Sequence, residues 1–171
     1  MASIRITGAL LLALTVLALG GCDSSPPVAP GFERVTIDGR DFDLELVYTE
    51  AAIEQGLKGR TSIPDNGGML FVMRENRVQR FWMHECLVPI DIIFLDAGGR
   101  VTATHQMQVN PRREGESDAQ YQDRLRREDM YSSRHAARFA IELQGGKLDE
   151  LTVGEGDLID LDLDRLKGLA R

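Results

Sequence analysis

Ile90-Asp91-Ile92-Ile93-Phe94-Leu95 is a run apolar enough to be buried on both faces of a sheet, and it contains a single carboxylate. Such a run reads as an interior β-strand, because a half-exposed strand alternates apolar and polar residues. A carboxylate at that depth is costly unless it is paired or hydrogen-bonded. Asp91 is therefore expected to accept hydrogen bonds, from the Arg60 region or from backbone amides between Cys86 and Pro89. The competing reading makes it a ligand-contacting acid at a pocket mouth.

The rest of the chain supplies further short strands. Glu33 to Tyr48 reads as strand, turn, strand, with Asp38-Gly39 as the hairpin signal. Thr49 offers an N-cap to a short helix carrying Ala52, Ile53 and Leu57, which Gly59 can end. Met69 to Met73 is a strand, Arg74 to Arg77 a polar turn, and Val78 to Leu87 and Arg100 to Val109 are further strands. Asn110 to Arg134 is a charged insertion holding a surface helix, capped by Ser117 with Gln120 and docked through Tyr121 and Leu125. Ala137 to Leu143 is a strand, Lys147 to Leu151 a helical turn, and Asp157 to Leu163 a final strand whose Asp160 and Asp162, with Asp164 just beyond, line an exposed face. The expected fold is α+β: a compact, mostly antiparallel sheet or barrel-like domain over residues 32–171, with one short helix and the inserted helix.

The first residues differ in character. A positive start at Arg5 precedes an apolar run from Ile6 to Leu19, which closes on Leu19-Gly20-Gly21-Cys22. That is the layout of a signal peptide over residues 1–21, and the glycines interrupt it before it reaches the roughly 20 apolar residues of a spanning helix. The tetrad resembles the lipobox of bacterial lipoproteins, which implies lipidation of Cys22. Residues 22–31, rich in Pro and Ser, then serve as a flexible spacer. The expected location is the bacterial cell envelope, with the membrane as a partner through the Cys22 anchor and the domain facing the periplasm or the exterior.

The 171 residues include 20 Lys and Arg against 27 Asp and Glu, a formal charge of −7. Loss of the leader removes only Arg5 among the charges, so the remainder is slightly more acidic. A nucleic-acid binder needs a concentrated basic surface, and nucleic acid is excluded as a partner. No P-loop, dinucleotide fingerprint, G-x-S-x-G or H-E-x-x-H motif occurs, and no cofactor is implied.

Four blocks carry a resemblance: Gln55-Gly56-Leu57-Lys58-Gly59-Arg60, Gly68-Met69-Leu70-Phe71-Val72, the stretch Phe81 to Asp96, and Ala137-Arg138-Phe139-Ala140-Ile141-Glu142-Leu143. In this order they resemble the domain of unknown function 192 family, from about Val35 to Leu161 apart from the insertion. The resemblance implies one small domain, often exported and sometimes lipid-anchored, with no established reaction. After Phe-Trp-Met the family usually has a basic residue, then Asn and a hydroxyl residue, where this chain has His84, Glu85 and Cys86. A ligand contact through that basic side chain would be altered, since an ordinary imidazole is shorter and mostly neutral at pH 7.

On a strand, Trp82, His84 and Cys86 share one face and Phe81, Met83 and Glu85 the other. The favoured function is an envelope-anchored small binding or accessory domain, taking a small ligand or an envelope protein. Its candidate site comprises Met69, Trp82, Met83, His84, Pro89, Asp91 and Arg60. Trp82 with one open face in a concave pocket favours binding, and complete burial favours a scaffold. The alternative is a copper or zinc site built from His84, Cys86 and His105 with nearby methionines. A hydrolytic enzyme is a second alternative, with no catalytic set in view.

Overall fold

The computed structural model describes residues 28–170, so the signal peptide, Cys22 and most of the spacer lie outside the described residues. Six strands form one open mixed sheet in the order β1-β2-β3-β6-β4-β5. They are β1 (Phe32–Ile37), β2 (Arg40–Val47), β3 (Gly67–Phe81), β4 (Ile90–Leu95), β5 (Val101–Met107) and β6 (Tyr131–Gln144). All neighbours are antiparallel except β2 and β3. The sheet has two free edges and is not the barrel-like closure that short strands suggested.

Asp38 and Gly39 both have positive φ, 49° and 73°, the mirror-image turn that matches strand twist, and they join β1 to β2 as expected. The parallel β2–β3 pair needs a crossover, which α1 (Glu50–Gln55) and the loop to Gly67 provide. Thr49 caps α1 through Ala52 N, but the helix closes at Gly56, earlier than Gly59. Ahead of β1 the chain is already tied down, for Ala29 O accepts from Phe32 N and Gly31 O from Leu46 N.

Three expected strand boundaries are corrected. Arg74 to Arg77 is not a turn, since β3 runs through it with its register against β6 shifted between Val72 and Arg77. The irregularity absorbs these exposed polar residues without reversing the chain. In the opposite sense, the strand predicted to reach Leu87 stops at Phe81. Glu85 takes φ 59°, Cys86 N donates to Met83 O, and Gly59 N donates to Glu85 O, so residues 82–89 fold into a turn. The two-faced alternation from Trp82 to Cys86 is therefore lost. Finally, Asp157 to Leu163 makes only an isolated bridge, Leu158 to Arg100, before α3 (Leu163–Leu169). Asp162 accepts from Arg165 N at 3.2 Å as the helix cap, a use of a short acid that competes with strand pairing.

Both faces of the sheet are covered. On one, Leu70, Val72, Ile93, Leu95, Phe139 and Ile141 join the hairpin residues and are capped by Leu151, Ile159, Leu166 and Ala170 from the C-terminal segment. On the other, Met69, Phe71, Ile92, Phe94 and Ala140 meet Leu57 and Ile63 from the crossover and Met83 and Cys86 from the turn. This double cover explains why all six β4 residues are buried, each large apolar side chain contributing about 1.5–3 kcal/mol. The inserted helix α2 (Asp118–Glu128) carries the expected capping box and buries Tyr121 and Leu125, together with Arg124. Among the described residues no helix is long and apolar enough to cross a membrane.

Candidate functional site

Beyond Val72, β3 and β6 leave their other neighbours. Arg77 to Phe81 pairs only with Tyr131 to Ala137, as a two-stranded ribbon. A pocket of about 280 Å³ lies where this ribbon, α1 and the turn after β3 come together. Its apolar wall includes Leu57, Phe71, Met73, Phe81 and Trp82. Phe81 sits edge-on to Phe71 at 5.1 Å and to Phe94 at 5.4 Å, which fixes the ring positions.

Glu142 lines this pocket from β6. Strand alternation sends Ile141 and Leu143 into one core and Glu142 to the opposite face, where it is 6% exposed and pairs in register with Met69 and Ile92. Among the described residues nothing hydrogen-bonds to its carboxyl or forms an ion pair with it. Removal from water without a compensating partner pushes the Glu142 carboxyl up to about 8, so it is mostly a neutral acid at pH 7. Cys86, on the same pocket, is pushed up to about 12 by burial and next by the Glu142 charge, and stays a thiol.

The mouth is basic. Lys58, Arg77 and Arg80 line it against Glu54 alone among the exposed acids. Arg77 pairs with Glu75, whereas Lys58 and Arg80 make no ion pair among the described residues. Gln79 is committed to the fold, its side chain donating to Glu75 O and Ala137 O and its backbone N to Ser133 Oγ.

Of the sequence-predicted binding residues, only Trp82 faces this pocket, half-buried at its rim. Met69 and Met83 are core, at 3% and 0% exposure. Pro89 packs against Gly145 and accepts its N–H at 3.0 Å. Asp91 is buried and accepts from Leu148 N at 2.7 Å, with the Gly146 and Lys147 amides also turned toward it. Its partners are thus neither Arg60 nor the 86–89 turn, because its face of β4 points at the loop after β6. Burial raises its proton affinity and these amides oppose that rise. Arg60 instead holds Glu45 in a two-point pair, at 2.5 and 2.6 Å.

His84 is sandwiched between Trp82 and Tyr121, ring centroids 5.1 and 5.2 Å away. Both its nitrogens are buried without a hydrogen bond, and the Glu85 and Asp118 carboxylates stand 3.6 Å off. His105 is elsewhere, its Nε2 against Ser132 O at 2.8 Å. The metal set His84, Cys86 and His105 is not assembled, and among the described residues no group of three or more His, Cys, Asp or Glu is placed to hold an ion. The Asp160, Asp162 and Asp164 series likewise gives no such cluster.

Glu142 is the residue that sequence reasoning passed over. It stands in an apolar strand just as Asp91 does, and the same test of a lone acid between buried neighbours singles it out. The four sequence blocks also converge here, through Leu57 and Lys58, Phe71, Phe81 with Trp82 and Cys86, and Glu142.

The family model for domain of unknown function 192, described as "Uncharacterized ACR", matches residues 33–161. The chain belongs to the domain of unknown function 192 family. No curated protein matches this member of it. A solved structure of a protein of unknown function from Novosphingobium aromaticivorans DSM 12444 is 25% identical, with a TM-score of 0.63, covering 81% of this chain and 94% of its own. A candidate transcription regulator from Sinorhizobium meliloti 1021 is also 25% identical, with a TM-score of 0.58, covering 74% and 89%. The open α+β sheet is thus shared with these two bacterial proteins.

Proposed function

We propose that this family member is a small binding or accessory module, held at the cell envelope by lipid on Cys22, and that its ligand enters the pocket floored by Glu142. The observation that carries this reading is a largely buried carboxyl in an open pocket of mixed aromatic and charged lining, with no partner among the described residues. A carboxyl largely withdrawn from water with no protein partner is a cost to the fold, and a site that needed only packing would hold Leu or Met. An arriving ligand supplies the missing partner. Trp82 supports the same reading, being a large aromatic residue on the pocket wall, where its ring is held by His84 at 5.1 Å and by the Arg126 guanidinium at 5.0 Å.

The test is to purify the native protein gently from its own cells and extract its small molecules for mass spectrometry, beside a Glu142→Leu variant whose melting temperature is no lower. A compound that accompanies the native protein and is lost from the variant supports the pocket as the site. Identical extracts from both overturn it.

A further inference from the structure

Three features decide what kind of molecule the Glu142 pocket takes, given the binding role proposed above. The first is size. About 280 Å³ lies just below the roughly 300–1,000 Å³ of sites for drug-sized ligands, so the occupant is small. The second is the wall, where Phe71, Phe81 and Trp82 offer ring surface to an apolar body. The third is polarity, and here floor and mouth agree.

A carboxylate beneath aromatic rings is the usual receptor for an ammonium group. That is not the arrangement here, because the deep carboxyl has no cation, amide or hydroxyl to sustain its charge. The groups facing it across the pocket are the Cys86 thiol from the turn, Lys58 and Glu54 from the α1 segment, and Arg77 and Arg80 from β3. Three of these are cations, one of them already paired, on a chain whose overall balance is acidic. A neutral acid donates a hydrogen bond, and a basic rim attracts negative charge. Both repel an ammonium and welcome an anion that carries an acceptor oxygen.

We propose that the pocket receives a small amphipathic anion. Its apolar body lies against Phe71, Phe81 and Trp82, an acceptor oxygen takes the Glu142 proton in a hydrogen bond, and its charge is held between Lys58 and Arg80. Nothing is transferred, and the proton stays on Glu142.

Trp82 is the single tryptophan of the chain and reports directly on the site. Three probes of similar size separate the possibilities when titrated into the full-length protein at pH 6.5: phenylacetate, 2-phenylacetamide and 2-phenylethylammonium. Phenylacetate is expected to change Trp82 fluorescence with at least tenfold tighter affinity than the amine, the amide falling between. Raising the pH above about 8 should weaken phenylacetate by up to tenfold per unit, since the donor proton is then lost. Glu142→Gln, which keeps an N–H donor, should bind with that pH dependence removed, and Arg80→Glu, at an exposed rim position, should weaken the acid at least fivefold without lowering the melting temperature. Tighter binding of the amine, strengthening as pH rises, overturns the anion and leaves the pocket a binding site for cations. No response to any of the three probes overturns the anion too, and the comparison of native extracts described above then shows independently whether the pocket binds at all.

Discussion

The α-carbon of Gly68 on β3 lies against the main-chain carbonyl of Glu142 on β6, so closely that any β-carbon there would overlap the oxygen. The Leu44 and Leu143 side chains close the remaining space at 3.0 and 3.1 Å. Gly68→Ala therefore has to push two central strands apart beside the pocket floor, at an expected cost of about 3 kcal/mol in urea unfolding. Gly39→Ala is the control. Nothing crowds that position, and only its φ of 73° opposes a side chain, so about 1 kcal/mol is expected.

Asp91 holds the loop after β6 by accepting from Leu148 N. Asp91→Ala leaves that amide buried without an acceptor and is expected to cost about 2–3 kcal/mol, whereas Asp91→Asn keeps an acceptor oxygen and should cost less than about 1 kcal/mol. The two differ in pH behaviour as well. Burial raises the folded carboxyl above its ordinary 3.8, so the folded state holds the proton more tightly. That advantage is complete below the ordinary value and lost as pH rises through the folded one. Denaturation from pH 3 to 7 should therefore show the wild type losing ground to Asp91→Asn, and a gap that does not change would refute the assignment.

Cys86 is held as a thiol, pushed from 9.0 up to about 12. At pH 8 its thiolate fraction is lower by about a thousandfold than that of an unperturbed cysteine. Native protein should resist iodoacetamide at Cys86 for hours and react promptly once unfolded in guanidinium. Fast alkylation of the native state at Cys86, followed by peptide mapping, would contradict the packing described for the turn.

If Cys22 carries the proposed lipid, Cys22→Ser should release the protein from the membrane pellet into the soluble envelope fraction, with its melting temperature unchanged. Retention of the variant on membranes would remove the lipid from the proposed function.

Much of the sheet is written in local signals. Asp38-Gly39 specifies a turn that few other dipeptides can make, and Ser117 with Gln120 satisfies helix-end amides whatever surrounds it. The Ile90–Leu95 run needs burial on both sides to be stable as a strand. What escaped was set by distant contacts. The turn from Trp82 to Pro89 follows from Gly59 N reaching Glu85 O, a contact across the crossover that β-propensity cannot report. The Asp157 to Leu163 segment alternates like a strand, yet no partner is left along its length beyond Arg100, and Asp162 caps a helix instead. The candidate site was half legible. Trp82 announced itself by size, while Glu142 was open to the same lone-acid test as Asp91, and its lack of a partner came only with its neighbours on β3 and β4.

The pocket spans two mechanically different supports. Glu142 and Phe71 are planted in the broad part of the sheet, but Arg77, Gln79, Arg80 and Phe81 ride on a ladder of only two chains. A ladder that narrow twists more freely than a wide sheet, and on its own it would scarcely hold its shape in water. The jaw that carries Arg77 and Arg80 is thus the narrower support, and Lys58 faces it from the segment after α1.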